Sequence, residues 1–262
     1  MRDALFTIII AAHGRPWLLG RTLKSLLDQT CQDFFVIVVA DEALSPPPYE
    51  ELKGLAGRYL YILRSGVPGP AESRNLGLEL TKTDYVVFLD DDDTFEPNHL
   101  AALAEQIDPA RPQIAYCSFK LVDEDREAIP PKILKVSAAY IGSVNPSSHL
   151  IRGIIPNSCL VFSTSITKNI RFDSSLVIYE DWDFLLEAMK IAELTYINVN
   201  SVLIHKSWGE TMANQRRGSS HNDRLVEQTL LIYRKHPAPE EIRKARQNFF
   251  LDAGLTLPLE LF

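Results

Sequence analysis

The stretch from Tyr85 to Pro97 limits the possible folds of this chain more than any other. Tyr85, Val86, Val87, Phe88 and Leu89 form an unbroken apolar run of β-formers, the pattern of a strand buried on both faces. It ends abruptly in Asp90, Asp91, Asp92 and Asp93. Four successive carboxylates repel one another. At the end of a buried strand they are expected to meet positive charge, and a hard divalent cation with oxygen ligands is one solution. A solvated acidic turn is the other. In an open α/β sheet the strand ends are also where ligands sit.

The preceding residues supply such a sheet. Leu5 to Ala12 is a continuous, isoleucine-rich run that stops at His13-Gly14-Arg15-Pro16. Pro16 suits a first helical position, and Leu19, Leu23, Leu26 and Leu27 then fall on one helical face. Phe34 to Ala40 reads as a second buried strand ending in Asp41-Glu42, which completes a βαβ unit. After the prolines at 46–48, Tyr49 to Arg58 reads as a short surface helix and Tyr59 to Leu63 as a third strand. Gly66 to Gly77 is a loop that turns into a helix with Pro70 in its first turn. The amides of that turn favour a phosphate, and Arg74 either adds a guanidinium there or pairs with an aspartate. Pro97 opens another helix, with Leu100, Leu103, Ala104 and Ile107 on one face.

The second half is less regular. Gln113 to Leu121 reads as a strand, Val122 to Glu127 as a charged turn, and Ile133 to Asn157 as a connection long enough to be functional or mobile. Ser158 to Ser163 reads as a strand and Ser165 to Asn169 as a short helix. Glu180, Asp181 and Asp183 lie at the start of a helix carrying Leu185, Met189 and Ala192, where carboxylates serve as caps favoured by the helix dipole. Thr195 to Ile204 holds one or two strands. They lead to His205, which is either a metal or phosphate ligand or a structural histidine. Asn214 to Asn222 reads as a polar loop. Two helices close the chain, one through Leu225, Val226, Leu230 and Tyr233, the other through Ile242, Ala245 and Phe249. The apolar end, Leu255 to Phe262, is expected to pack on the domain or on a partner subunit, the latter making a homo-oligomer.

With 262 residues, 46% of them hydrophobic, the chain can build one large α/β domain. A net charge of -7 argues against a nucleic-acid-binding surface, which needs a basic patch or stripe. Cys31, Cys117 and Cys159 are odd in number and widely spaced, so neither a disulfide framework nor a zinc site is expected, in keeping with a reducing cytoplasm. Met1 to Ala4 shows no signal-peptide pattern, and no stretch approaches ~18 apolar residues. The expectation is a cytoplasmic chain with no transmembrane segment, compatible with peripheral attachment at the inner face of a membrane.

Taken together, these segments resemble family 2 glycosyltransferases of the GT-A fold. The matching residues are Thr7 to Ile10 with Arg15-Pro16, Leu26 to Thr30, Phe34 to Asp41, Gly69-Pro70-Ala71 with Arg74 to Gly77, Phe88 to Asp93, Phe172-Asp173 and Glu180 to Asp183. The resemblance covers roughly residues 5 to 210 in order and spacing. It implies a Rossmann-like mixed sheet flanked by helices over residues 1–220, with residues 221–262 as a C-terminal helical extension packing on that domain or on a partner.

The resemblance also implies roles. Asp41 corresponds to a carboxylate that hydrogen-bonds the nucleotide base, usually uracil, with the Ala11 backbone and the His13 side chain lining that pocket. Asp90 and Asp92 correspond to the outer members of a DxD motif. Asp92 is implied as direct ligand of Mn²⁺ or Mg²⁺ on the diphosphate, and Asp90 lies nearer the ribose or sugar. Arg74 corresponds to an arginine near the diphosphate or donor sugar, and Arg15, Gly69 and Asp91 join the donor-binding set. Asp181 corresponds to the catalytic base, and His205 to a histidine that approaches the metal or phosphates. The chain departs from the family at His13, often aromatic, and at Ala40, often acidic. The QxxRW motif of processive synthases is absent, since Gln215-Arg216-Arg217 runs on into Gly218.

The activity implied is inverting transfer of one sugar from a nucleotide sugar, UDP-linked in the first instance, to a hydroxyl of a glycan or lipid-linked acceptor. A sugar nucleotidyltransferase is a second reading, although His13 to Pro16 is a poor version of the glycine-rich basic loop it needs. A non-catalytic sugar-nucleotide or glycan-binding domain is a third, and the carboxylates at 41, 90, 92 and 181 weigh against it.

Overall fold

The computed structural model describes residues 4–43, 46–128, 130–207 and 222–262. The polar stretch from Asn214, the boundary drawn at residue 220 and Trp208 lie outside the described residues. The elements run β1 (Phe6–Ala12), α1 (Pro16–Leu27), β2 (Phe34–Ala40), α2 (Tyr49–Gly54), β3 (Tyr59–Leu63), α3 (Pro70–Leu80), β4 (Tyr85–Phe88), β5 (Thr94–Phe95) and α4 (His99–Gln106). They continue with β6 (Ile114–Tyr116), β7 (Phe119–Asp125), β8 (Lys132–Ala139), β9 (Leu160–Ser163), α5 (Thr164–Thr167), α6 (Glu180–Met189), β10 (Leu194–Tyr196), β11 (Val202–Ser207), α7 (Asn222–Lys235) and α8 (Glu240–Asp252).

The large sheet has the order β10-β6-β9-β4-β1-β2-β3. It is parallel from β4 to β3 and between β10 and β6, while β9 runs antiparallel to both its neighbours. The chain moves outward from β1 to β2 and β3, then returns to β4 on the other side of β1. That reversal opens a crevice at the carboxyl ends of β1 and β4, where open α/β sheets bind ligands. The uninterrupted apolar runs of β1, β2 and β4 are explained by burial: their side chains lie in one core beneath α1 and α3. Helix α3 comes so close to β1 that a Cβ at Gly77 would lie 2.5 Å from Ile9 Cγ2, so this crossing requires glycine.

Three expectations about the second half are corrected. The apolar stretch 113–121 is two strands on two sheets. At Cys117 and Ser118 the chain leaves the large sheet, the Cys117 amide bonding Cys159 O and the Ser118 amide bonding Val199 O, and enters a four-stranded sheet of order β5-β11-β7-β8. The charged segment after Val122 is no turn; β7 continues to Asp125, because its Glu124 is buried against cations described below. The long connection after Ile133 contains β8, which pairs antiparallel with β7, and a 3₁₀ turn at Pro146–Leu150. Strand β8 is the sheet edge and mostly exposed, so it lacks the in-out alternation by which strands are read. A smaller difference is that α4 starts at His99, while Pro97 O accepts the Thr30 amide.

Helices α7 and α8 lie against α6 through a second apolar cluster, in which Trp182 and Leu186 of α6 meet Ile232, Tyr233, Phe250 and the terminal Phe262. The apolar end of the chain thus packs on its own protein. No helix among the described residues is long and apolar enough to cross a membrane.

Candidate active site

The crevice at the ends of β1 and β4 is a cleft of about 330 Å³. Ala11, His13 and Arg15 reach it from the end of β1, Pro70 and Arg74 from the first turns of α3, and Asp90, Asp91 and Asp92 from the end of β4. Val177 to Asp181 close it from the side of α6. Residues more than 160 positions apart in sequence therefore face one space.

The side chain of Asp41 is buried behind His13 and is not among those that line the cleft. Its carboxylate accepts the Gly69 amide at 2.6 Å and lies 2.6 Å from His13 Nδ1, with Arg64 at 3.7 Å. His13 and Gly69 both meet Asp41, while Ala11 and His13 line the cleft.

The four aspartates after β4 fan out to different partners. Asp90 receives Arg74 at 2.8 Å, and the same guanidinium reaches Glu180 of α6 at 2.6 Å. Arg74 is therefore both a cleft residue and the ion-pair partner of two acids from opposite walls. Burial alone would lower its pKa, but Asp90 and Glu180 prevail and raise it. Asp91 is buried and accepts the His13 amide at 3.1 Å and a short bond from Arg15. Burial, only partly offset by Arg15, pushes its pKa up to about 6. Asp92 takes Arg15 at 3.1 Å and Arg126 at 3.0 Å, both on Oδ2.

Asp93 turns inward, accepting the Ser158 hydroxyl at 2.8 Å and the His205 amide at 3.0 Å. Its burial, with Asp92 and Asp90 adding to it, raises its pKa well above the ordinary carboxylate value. It ties the turn before β9, and β11 itself, to the end of β4. The Asp90 amide lies 3.2 Å from the same Ser158 hydroxyl.

The acids that open α6 divide in the same way. Glu180 goes to Arg74. Asp183 goes to Lys235 and His236 at 2.7 and 2.8 Å. Asp181, whose Oδ1 caps the Trp182 amide at 2.8 Å, is the one that lines the cleft without an ion pair among the described residues. Burial first, then Glu180 and Asp90, push its pKa up to about 7 against the pull of Arg74.

His205 is not brought into this group. It is buried, its Nε2 lies 2.9 Å from Thr94 Oγ1 and its Nδ1 3.1 Å from Glu124 Oε2. It belongs to a network that sequence reasoning missed, in which the fully buried Glu124 also receives Arg21 at 2.6 Å and Arg126 at 2.7 Å. Burial alone would raise the Glu124 pKa, but His205, Arg21 and Arg126 bring it down to about 2. Arg21 continues to Asp92 O at 2.8 Å. Arg21 carried no local signal, since Glu124 lies 103 residues away; Arg126 lies two residues from Glu124 but 34 from Asp92, so only its link to the cleft was out of local reach.

Known proteins resemble this chain in sequence and in fold. Residues 7–169 match the model of glycosyl transferase family 2. The chain is 39% identical over 104 residues to the succinoglycan biosynthesis protein ExoW of Rhizobium meliloti, a match covering 37% of this chain and 32% of ExoW. It is 25% identical to the amylovoran biosynthesis glycosyltransferase AmsB of Erwinia amylovora over 84% of this chain and 75% of that one. A crystal structure of S. aureus TarS residues 1–349 in complex with UDP-GlcNAc superposes with a TM-score of 0.65 at 17% identity, over 94% of this chain and 71% of TarS. The central mixed sheet flanked by helices matches the GT-A fold of that neighbour. With its strand-end aspartates, Arg74 and the Glu180-Asp181 pair gathered in one crevice, and with the family model matching most of its length, the chain belongs to the family 2 glycosyltransferases.

Proposed function

We propose that the chain transfers one sugar from a UDP-sugar to a hydroxyl of a glycan or lipid-linked acceptor, with inversion at the anomeric carbon. The observation that carries the proposal is the meeting of Asp92 and Asp181 on one cleft. Asp41, with the Gly69 amide and His13 around it, is suited to the base, and Arg15 and Arg74 are placed to face a diphosphate. The donor class is supported by the nucleotide sugar in the TarS complex, and the acceptor class by relatives named for polysaccharide biosynthesis.

The acids at the end of β4 fit a divalent metal. Hard oxygen donors cluster there, and among the described residues the arginines bond only Oδ2 of Asp92 and Oδ1 of Asp90, which leaves a second oxygen of each carboxylate for a cation. Asp92, with Asp90 beside it, would hold Mn²⁺ or Mg²⁺, which when bound supplies Lewis-acid stabilisation of charge on the departing diphosphate. We assign His205 to the buried network rather than to the metal, because both its nitrogens are engaged there.

The Asp181 carboxylate takes the acceptor's proton as the hydroxyl attacks. A base serves best when its pKa lies near the working pH, and the surroundings of Asp181 move it to about 7. Attack from the Asp181 side, opposite the leaving diphosphate, inverts the centre. The test is a thermal-shift panel of nucleotide sugars with and without Mn²⁺, since a ligand selective for the folded form raises apparent stability. Metal-dependent stabilisation by a UDP-sugar is expected; stabilisation by none of them, or by purine nucleotide sugars alone, would overturn the donor assignment.

A further inference from the structure

The C-terminal helices hold the loop that delivers Asp181. The Val177 amide donates to Gln228 Oε1 of α7 at 2.9 Å, and Lys235 reaches back to Asp173 at 2.7 Å. Tyr179, the residue that turns the chain into α6, has φ of 69° and is the one non-glycine residue with positive φ among those described. That left-handed turn is costly for a residue with a Cβ. It is braced by the Trp182 ring at 5.7 Å, which in turn packs edge-on against Tyr233 of α7 at 6.1 Å. On the far side of Asp181, Asp183 is anchored to Lys235 and His236.

The brace is itself fixed to the core domain. The Trp182 indole N–H donates to His149 O at 2.7 Å, Arg246 of α8 to Leu150 O at 2.7 Å, and the Tyr233 hydroxyl to Ile151 O at 2.6 Å. Three successive carbonyls are thus held by α6, α8 and α7. The Arg246 guanidinium, fully buried, also bonds His236 O and stacks 4.0 Å over the Tyr233 ring. Ligand atoms of Asp183, Glu187 and His236 lie within 4.8 Å of one another, close enough for a metal. Lys235 and His236 already take both oxygens of Asp183, at 2.7 and 2.8 Å, and Lys190 pairs with Glu187, so this cluster is a closed joint between α6 and α7 rather than an ion site.

We infer that the helical extension positions the catalytic carboxylate, with Gln228, Tyr233 and His236 acting through the 177–183 segment on Asp181. This rests on Asp181 being the base. Misplacement of a reacting group by about 1 Å costs on the order of 100-fold in rate. Gln228→Ala and His236→Ala are therefore expected to lower kcat by about 10- to 100-fold while the donor KM stays within about threefold. His236→Gln, which keeps a donor toward Asp183, should recover most of the loss.

Turnover is read as UDP release from UDP-N-acetylglucosamine with Mn²⁺, normalised to folded protein. Positioning is also read without turnover, by ¹³C NMR titration of Asp181 in the same full-length variants. The wild-type carboxyl should titrate near 7, and the alanine variants should move it toward the ordinary carboxylate range as water enters. Variants that lose Tm but keep both the wild-type kcat and the wild-type Asp181 titration would overturn the inference, since a merely structural brace moves stability alone. An Asp181→Asn enzyme that turns over normally would instead defeat the base assignment, whatever the titration shows.

Discussion

The two acidic clusters of the cleft are built from the same side chains and held in opposite ways. After β4, charge is met by cations from three elements: Arg15 serves Asp91 and Asp92, Arg74 serves Asp90, and Arg126 serves Asp92. At the start of α6, Glu180 is paired with Arg74, and Asp183 with Lys235 and His236. Asp181 is left to face the cleft with its pKa raised to about 7. One cluster is suited to bind cations and anions, the other to move a proton. Residue type is common to both; burial and partner decide the chemistry.

The largest effect should come from removing the proton acceptor. Asp181→Asn keeps the shape and the cap on the Trp182 amide, and is expected to lower kcat by about 10³- to 10⁴-fold while nucleotide-sugar affinity changes less than about threefold. Kinetics alongside calorimetry checks this, and equal losses in both would erase the distinction between the clusters. Arg74→Met strikes the one cation that, among the described residues, is shared by both. It leaves Glu180 buried with no ion pair among the described residues and Asp90 without its guanidinium, and should cost about 3 kcal/mol of stability, read by urea unfolding at pH 7. A cost below about 1 kcal/mol would mean the clusters are held independently.

A third test uses proton linkage at Asp181. Its folded pKa lies above its unfolded value of 3.8, so the folded state keeps a proton that the unfolded chain releases. Stability therefore falls as pH rises from about 4 to 7 and falls no further above that. Asp181→Asn removes this cost, on the order of 2 kcal/mol after allowing for solvent in the cleft, and should raise Tm by about 5 °C at pH 8 with little change at pH 4. A variant no more stable than wild type at pH 8 would show Asp181 to be an ordinary surface carboxylate.

The same contrast explains what could be read in advance. The first half follows from local pattern: apolar runs give β1, β2 and β4, prolines open α1 and α3, and strand-end acids mark the cleft. Asp41, His13 and Gly69 meet because each sits at the end of an element, after β2, after β1 and before α3. The second half depends on partners far away in the chain. Glu124 looks like a loop acid until Arg21, 103 residues earlier, covers it. The edge strand β8 shows no alternation because it hides neither face. His205 and Arg126 differ in the same respect: the histidine stood out as a ligand type and is spent internally, while the arginine was unremarked and sits on Asp92.

The smallest effect is expected at the rim of the second cluster, where Asp173 and Lys235 join the loop to α7. The Lys235 ammonium and the Ser175 hydroxyl hold the Asp173 pKa down at about 2. A depressed carboxylate pKa contributes stability above its unfolded value, near 4, and loses it as pH falls toward 2. Both partners are about one-third exposed, so water screens the pair and Asp173→Asn should cost under about 1 kcal/mol at pH 7. The difference from wild type should vanish near pH 2. Because Lys235 keeps its bond to the buried Asp183, this variant should leave kcat unchanged. A loss of kcat comparable to that of Gln228→Ala would move the anchor of the Asp181 loop outward, from the amide of Val177 to the rim.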